Sequence, residues 1–297
     1  MKARTETFWF WLFAGPAVVG FLIFAFIPML WSLYLSLCRY DVIHPPEFIG
    51  LSNYFYLLRN DPAFWPSVKV TAVFALVNVP ASLVSALAVA ILLNQKVFLQ
   101  GAFRTVFFLP SILPAAASTA VFVFIFDPDN GLLNSLLAGV GITGPAWLTS
   151  SEWALPTLIL ISLWGFGSAM LIFLGSLQGI SQELNEAAAI DGAGTWSRFR
   201  NVTLPQISPV IFFNLVMGVI GALKVFDLAF AFGAAQGKEP GGPARATLFY
   251  VLNLYDKGFN YFHMGLASAM AWLLFIVVVA LTVFNFWAAK KWVHYNN

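Results

Sequence analysis

The stretch Met264–Ala289, MGLASAMAWLLFIVVVALTVFNFWAA, contains no charged residue and is longer than the roughly 20 apolar residues that cross a bilayer as a helix. The rest of the chain has the same character. Hydrophobic residues make up 60% of its 297 residues and charged residues only 9%, whereas soluble domains carry about 25% charged residues. These values exclude a soluble globular fold and predict an all-α polytopic membrane protein.

Five further stretches are long and apolar enough to span, so the sequence predicts six transmembrane helices in a single membrane domain that covers residues 1–297. The predicted spans are residues 8–37, 68–93, 105–126, 153–177, 206–232 and 264–289. The first apolar stretch is longer than the core of about 7–15 residues in a cleaved signal peptide, so it is predicted to remain as a span. An even number of spans places both termini on the same side.

The distribution of charge orients these spans. The termini and the connections 94–104 and 178–205 carry eight basic and four acidic residues, whereas the other connections carry six basic and eight acidic residues. Basic residues near helix ends are retained in the cytoplasm. Both termini and the connection 178–205 are therefore predicted to be cytoplasmic.

The connection between the fourth and fifth spans has the signals of a helix, a turn and a second helix. Ser181 is a suitable N-cap, and Gly192 and Gly194 can adopt the left-handed conformation that ends a helix. Thr195 is predicted to cap the second helix, which Leu204-Pro205 would end, because a residue before proline avoids the helical region. A simple membrane-surface connector would also fit these signals.

The spacing within this connection is more specific than its composition. Glu186-Ala187-Ala188 is followed by Gly192, Val202 and Leu204-Pro205 in an uninterrupted register. This pattern resembles the cytoplasmic signature of permease subunits of ABC importers.

The resemblance extends over nearly the whole chain and points to the sugar-type permeases, the family of the maltose and glycerol-3-phosphate importer subunits. The chain departs from the family pattern at Ala234–Glu239, where a shorter threonine-glycine stretch is typical. Further matching stretches are Phe48–Tyr54, Phe103–Pro110, Gly131–Asn134, Trp164–Phe166, Gly241–Pro243 with Thr247, and Gly265–Ala269.

The resemblance implies that the connection 178–205 contains a coupling helix that docks on a cytoplasmic ATPase. It implies the bacterial or archaeal cytoplasmic membrane as the location, and as partners a second homologous permease in a heterodimer, a dimer of nucleotide-binding ATPase subunits and an extracytoplasmic solute-binding protein. ATP and magnesium would bind to the ATPase subunits, and this chain would hold no cofactor. The residues assigned to coupling are Glu186, Ala187, Ala188, Asp191, Gly192, Leu204 and Pro205.

Polar or irregular positions at membrane depth are candidates for the substrate path. They occur in the third, fourth and fifth predicted spans, which line the path in maltose-type subunits. An alternative is that the small residues only pack helices, that Trp164 faces lipid or the core, and that Lys224 pairs with Asp227 at i+3. The assigned residues are Ser111, Trp164, which could stack on a sugar ring, Gly165, Ser168 and Lys224.

The sequence offers no catalytic chemistry of its own. Gly237-Lys238 lacks the upstream glycine and the Ser/Thr of a phosphate-binding loop, and the three histidines are too scattered for a metal site. The leading hypothesis is a non-enzymatic importer subunit for a sugar, oligosaccharide or related polyol, including polyol phosphates, that works by alternating access. The alternatives are an ion-driven secondary carrier, for which Asp227 is the one acidic candidate, and a membrane-bound enzyme.

Overall fold

The computed structural model describes residues 2–95, 98–235 and 241–294, with residues 2–8, 115, 116 and 235 described by their backbone alone. Lys96, Lys238 and Glu239, which enter the charge distribution, lie outside the described residues. The chain is helical over most of its described length. Its α-helices are α1 Lys2–Phe21, α2 Ile27–Ser36, α3 Ser52–Arg59, α4 Phe64–Leu93, α5 Gln100–Phe108, α6 Ala115–Ile125, α7 Leu132–Gly139, α8 Ala154–Leu163, α9 Gly167–Gln178, α10 Gln182–Ile190, α11 Thr195–Arg198, α12 Leu204–Gln206, α13 Ser208–Leu223, α14 Asp227–Ala235, α15 Tyr250–Tyr255 and α16 Met264–Ala289.

Shorter elements join these helices. A two-stranded antiparallel ribbon, β1 Cys38–Arg39 and β2 Glu47–Phe48, pairs Cys38 with Phe48 and is a small exception to the predicted all-α fold. The π-helical turns are Leu22–Phe26, Phe199–Thr203 and Asp256–Asn260, and the 3₁₀ turns are Leu109–Ile112 and Pro243–Arg245.

Within the described residues, four helical stretches are long and apolar enough to cross a membrane. They are Trp9–Ser36, Phe64–Leu93, Ser208–Ala234 and Met264–Ala289. Two further pairs of helices pass the same test together but are bent, Gln100–Ile112 with Ala117–Ile125 by 101° and Ala154–Leu163 with Gly167–Gln178 by 42°. The described residues therefore contain four helices that are long and apolar enough to span, or up to six candidate spans if each bent pair crosses the membrane once.

One compact unit comprises Met1–Asp61 and Leu254–Ile276. In this unit Asn53 closes the end of α2, because its side-chain amide donates to the carbonyl oxygens of Ser36 and Cys38, both over 2.9 Å. Cys38 is fully buried, as expected for a small apolar residue. Lys257 Nζ lies 2.9 Å from Asp61 Oδ2 in a largely buried ion pair.

The second unit comprises Pro62–Asn253 and Val277–Asn297 and contains two apolar cores. One core joins α4, α8 and α14 through buried aromatic and aliphatic side chains that include Phe74, Leu158 and Phe232. In the other, Ala86 and Ala90 lie one turn apart on α4 and are fully buried beside side chains of α9. Small residues at this spacing allow helices to approach closely in a membrane.

Proline and glycine produce two helix breaks in this unit, one between α5 and α6 and one between α8 and α9. Pro110 lies within the 3₁₀ turn between α5 and α6, and Pro114 immediately precedes α6; each interrupts the helix because proline lacks the N–H that a continuous helix needs. At the second break, a Cβ on Gly167 would lie 2.3 Å from the carbonyl oxygen of Phe107. Only glycine therefore allows α9 to begin so close to α5.

Candidate functional site

A cavity of about 570 Å³ lies at the helix breaks of the second unit. Helix α4, the α5–α6 break, the α8–α9 break and the α13–α14 junction all contribute to its walls. Its lining residues are Phe74, Asn78, Pro110, Ser111, Leu113, Ser118, Thr119, Ile161, Ser162, Trp164, Gly165, Ser168, Gly218, Gly221, Ala222, Lys224, Val225, Phe226, Asp227 and Leu228. The broken helices thus border an open cavity with both polar and apolar walls.

The five residues assigned to the substrate path all line this one cavity. The Ser111 hydroxyl donates to the carbonyl oxygen of Phe108 over 2.7 Å, which satisfies part of the 3₁₀ turn. The Trp164 ring meets Phe122 edge to face at 5.0 Å and remains 43% exposed, so one part of the indole is free to contact a bound molecule. Gly165 and Ser168 lie within and after the second break.

Lys224 and Asp227 stand on opposite sides of the α13–α14 junction. Lys224 follows the last residue of α13, and Asp227 is the first residue of α14. Both side chains line the cavity, yet no ion pair within 4 Å joins them in the described part of the chain. The i,i+3 pair considered from the sequence is not formed, and the cavity wall carries one ammonium and one carboxylate group.

A polar pair that was not predicted from the sequence lies on the α4 and α8 side of the cavity. The Ser162 hydroxyl donates to the side-chain oxygen of Asn78 over 2.6 Å, across 84 residues of sequence. An amide near the middle of the apolar stretch 68–93 was the available signal. Its partner could not be found by spacing, because the two residues lie on different helices.

The segment assigned to coupling begins with helix α10. The Ser181 hydroxyl accepts a hydrogen bond from the backbone N–H of Glu183 over 3.2 Å, which confirms the predicted N-cap. At the exposed surface, the Gln182 side-chain amide donates to a carboxylate oxygen of Glu186, one helical turn further along α10, over 2.7 Å. Glu186 is therefore held in place while its second carboxylate oxygen remains available.

Helix α10 ends in a Schellman motif around Gly192. The N–H of Ala193 donates to Ala188 over 2.9 Å, the N–H of Gly192 donates to Ala189 over 3.1 Å, and Gly192 has φ +80°. The prediction of a left-handed Gly192 is confirmed, whereas Gly194 has φ −66° and is extended.

Two details of the second helix in this segment were predicted wrongly. Gly194 occupies the N-cap position of α11 and Thr195 is the first helical residue, because the extended backbone at Gly194 starts the helix one residue earlier. Leu204-Pro205 does not end the helix. The helix instead continues from α11 through the π-helical turn Phe199–Thr203 and then through α12, which ends at Gln206.

The coupling residues differ in exposure. Glu186, Ala187, Asp191 and Gly192 are exposed, whereas Ala188, Leu204 and Pro205 are half-buried. Two large apolar side chains beside them were not predicted as part of this surface, Ile190 at 86% exposure and Trp196 at 72%. Large apolar residues inside an otherwise small and polar segment were the signal. Exposure of this extent indicates a surface that another protein could cover.

Comparison with known proteins decides the family. Residues 51–291 match the model of the binding-protein-dependent transport system inner membrane component. The chain belongs to this family. The permease is also similar to curated proteins over nearly its full length. It is 42% identical over 286 residues to the probable ABC transporter permease protein YesP of Bacillus subtilis, covering 96% of this chain and 91% of that protein.

Two other relatives have names that state a cargo. The lactose transport system permease protein LacF of Rhizobium radiobacter is 35% identical, covering 95% of this permease and 94% of LacF. The sn-glycerol-3-phosphate transport system permease protein UgpA of Agrobacterium fabrum is 32% identical, covering 96% of each chain. The resemblance drawn from the Glu186 motif is thereby confirmed.

A solved structure shares the fold of the permease. The crystal structure of a bacterial ABC transporter involved in the import of the acidic polysaccharide alginate superposes with a TM-score of 0.80 at 23% identity, covering 98% of this permease and 99% of that chain. A second structure of a bacterial alginate ABC transporter, in complex with an alginate pentasaccharide-bound periplasmic protein, gives a TM-score of 0.82 at 22% identity. In the described part of the permease, no group of three or more His, Cys, Asp or Glu side chains could hold a metal ion.

Proposed function

We propose that this permease is a transmembrane subunit of an ATP-driven importer that carries a sugar, oligosaccharide or related polyol, including polyol phosphates, into the cell. The observation that carries the proposal is the cavity at the helix breaks. Its walls combine an indole ring with hydroxyl, amide, ammonium and carboxylate groups. Such a mixture suits a hydroxyl-rich solute, which offers both polar oxygens and apolar ring faces.

The proposed topology has six spans, with each bent pair crossing once, both termini in the cytoplasm and one permease domain over residues 1–297. Basic residues support this orientation. Arg198 and Arg200 lie in the connection 178–205, and Lys290 and Lys291 follow the last span. The proposed location is the cytoplasmic membrane of a bacterium or archaeon.

The proposed partners are a second homologous permease, a dimer of nucleotide-binding ATPase subunits and an extracytoplasmic solute-binding protein. ATP and magnesium would bind to the ATPase subunits. On the cytoplasmic side, α10 would dock in a cleft of one ATPase subunit. The exposed Ala187 allows close approach, Glu186 can accept charge-assisted hydrogen bonds, and Ile190 supplies apolar contact area.

The attachment of this segment to the cavity helices supports the proposal of alternating access. The α11–α12 segment leads from α10 through Ile207 directly into α13, whose far end carries Lys224 at the cavity. When ATP binding closes the ATPase pair, a displacement of α10 would be transmitted through this helical connection. The cavity would then open toward the loaded binding protein, and reopening after hydrolysis would reverse the movement.

The proposal is tested by reconstituting the complete transporter with its binding protein and measuring ligand-stimulated ATP hydrolysis. Lactose, maltotriose, sn-glycerol 3-phosphate and an alginate oligosaccharide serve as ligands. Stimulation by at least one of them, together with copurification of a second permease and an ATPase dimer, is expected. A protein that purifies alone and transports in response to an ion gradient would contradict the proposal.

The Lys224→Ala variant tests the cationic part of the cavity in the same assay. If the ammonium group contacts cargo, the half-maximal concentration should rise about tenfold for an anionic ligand, since hydrogen bonds to charged groups contribute about 1.5–3 kcal/mol. Lys290→Ala, which removes an exposed ammonium group that does not line the cavity, serves as the matched control. An unchanged ligand dependence in Lys224→Ala would make Lys224 a structural residue.

A further inference from the structure

We infer that Asn78 is a specificity-determining residue of the translocation cavity and that Ser162 positions it. In this assignment the Asn78 amide donates hydrogen bonds to ring or hydroxyl oxygens of a saccharide. The inference rests on the proposed function. It deepens that function by adding helix α4 to the cargo-contacting wall, beyond the spans assigned from the sequence.

The position of Asn78 is the first observation. It lies midway along α4, the 30-residue helix Phe64–Leu93, and one turn after Phe74 on the same helix face. Both residues line the cavity. An amide at this depth finds no hydrogen-bond partner in lipid, and an unpaired polar group facing lipid is destabilising. A polar side chain retained at such a position therefore needs a partner.

Ser162, one residue before the end of α8, is the partner of the amide oxygen of Asn78. Its hydroxyl carries a single hydrogen and has two acceptors in reach, Asn78 Oδ1 at 2.6 Å and the carbonyl oxygen of Ile159 at 2.8 Å. The 2.6 Å separation is shorter than an N–H···O bond of about 2.7–3.2 Å and fits an O–H···O bond of about 2.5–3.0 Å, so the amide oxygen faces Ser162 and the hydroxyl hydrogen lies between the two oxygens. The oxygen end of the amide is thereby fixed against α8.

The nitrogen end of the amide is left for another molecule. Asn78 Nδ2 makes no hydrogen bond within the described part of the chain, and this nitrogen atom is not fully buried. It is therefore accessible from the cavity that Asn78 lines. With the oxygen bonded to Ser162, the amide nitrogen is the donor that Asn78 offers to the cavity, and the ligand groups it fits are oxygen acceptors.

The test uses the complete transporter in proteoliposomes, with its binding protein and the ligand panel named above. Asn78→Ala should raise the half-maximal concentration for uptake about fivefold, the effect of losing one neutral hydrogen bond of about 1 kcal/mol. Asn214→Ala is the matched control, because Asn214 lies in spanning helix α13, donates to Val210 within its own helix and does not line the cavity.

Ser162 is tested by a pair of variants. Ser162→Ala removes the bond that fixes the amide, so it should raise the half-maximal concentration by about half as much as Asn78→Ala on a logarithmic scale. Ser162→Thr retains the hydroxyl and should therefore keep the half-maximal concentration of the unsubstituted transporter. Thermal unfolding is measured for every variant, because a residue that merely clamps α4 to α8 would lower the unfolding midpoint and leave the half-maximal concentration unchanged.

The outcomes are separable. If the unsubstituted transporter takes up no ligand of the panel, the proposed function fails and this inference fails with it. If uptake is normal and Asn78→Ala behaves like Asn214→Ala, the inference alone is overturned. The assignment is supported if the half-maximal concentration rises for Asn78→Ala but not for Asn214→Ala, and rises for Ser162→Ala but not for Ser162→Thr.

Discussion

Gly192 controls the end of α10 through its backbone conformation. Its φ of +80° lies in the left-handed region, and open space surrounds the position where a Cβ would be. The requirement for glycine is therefore one of backbone strain rather than of packing. This distinction can be tested, because Gly194 lies two residues away in equally open space with an ordinary φ of −66°.

Gly192→Ala should destabilise the turn after α10 by about 1 kcal/mol, the usual cost of a left-handed conformation for a residue with a Cβ. Hydrogen exchange of the Ala193 amide, which donates to Ala188, should become faster. Gly194→Ala should leave this exchange unchanged. Equal protection in the two variants would contradict the Schellman assignment.

At the scale of helices, the start of α9 depends on close contact with α5. A Cβ on Gly167 would meet the carbonyl oxygen of Phe107 at 2.3 Å and Phe108 Cα at 2.8 Å. Gly167→Ala should therefore lower the free energy of unfolding by about 1–3 kcal/mol, as overpacking does elsewhere. Thermal unfolding in detergent measures this effect.

Gly175 provides the control on the same helix. Nothing lies within 4 Å of the Cβ position at Gly175, so Gly175→Ala should stabilise α9 by about 0.5–1 kcal/mol. A Gly167→Ala variant that unfolds at the same temperature as Gly175→Ala would show that the two helices do not approach as described.

The loop between β1 and β2 offers a prediction about pH. The backbone N–H of His44 donates to Asp41 Oδ1 over 2.8 Å, and the His44 ring lies 2.7 Å from Asp41 Oδ2. These contacts, the backbone hydrogen bond first, lower the pKa of Asp41 to about 2. Because the pKa is lowered, the stabilisation is present above the usual value of about 3.9 and is lost as pH falls toward 2.

His44→Ala should raise the pKa of Asp41 without restoring it fully, since the backbone N–H remains. Carboxyl ¹³C shifts of labelled aspartate over a pH titration measure the change. A pKa that stays near 2 would show that the histidine ring contributes nothing, and one near 3.9 would show that the backbone bond does not form.

For the whole molecule, long apolar stretches allowed the sequence to predict a helical membrane protein, and the apolar stretch 264–289 coincides with α16. The ribbon at Cys38 and Phe48 could not be predicted in this way, because two-residue strands have no hydrophobic period of their own. The cavity was anticipated in part. Proline and glycine marked its breaks locally, whereas Asn78 depends on Ser162 of a distant helix.

The coupling segment shows the same division. Ser181 and Gly192 carry local signals, and the structure has the cap and the left-handed turn that those signals predict. The exposure of Ile190 and Trp196 depends on which surfaces the rest of the chain covers. Residue spacing contains no such information.

The central claim is that α10 couples ATP hydrolysis to transport, and the most direct test is the ratio of solute taken up to ATP hydrolysed by the complete transporter in proteoliposomes. Glu186→Ala should leave the assembled transporter folded and hydrolysing ATP while uptake per ATP falls at least about tenfold, the loss expected for a charge-assisted contact of about 1.5–3 kcal/mol. Glu183→Ala, on the first turn of the same exposed helix, should retain the original ratio. An unchanged ratio in Glu186→Ala would contradict the claim.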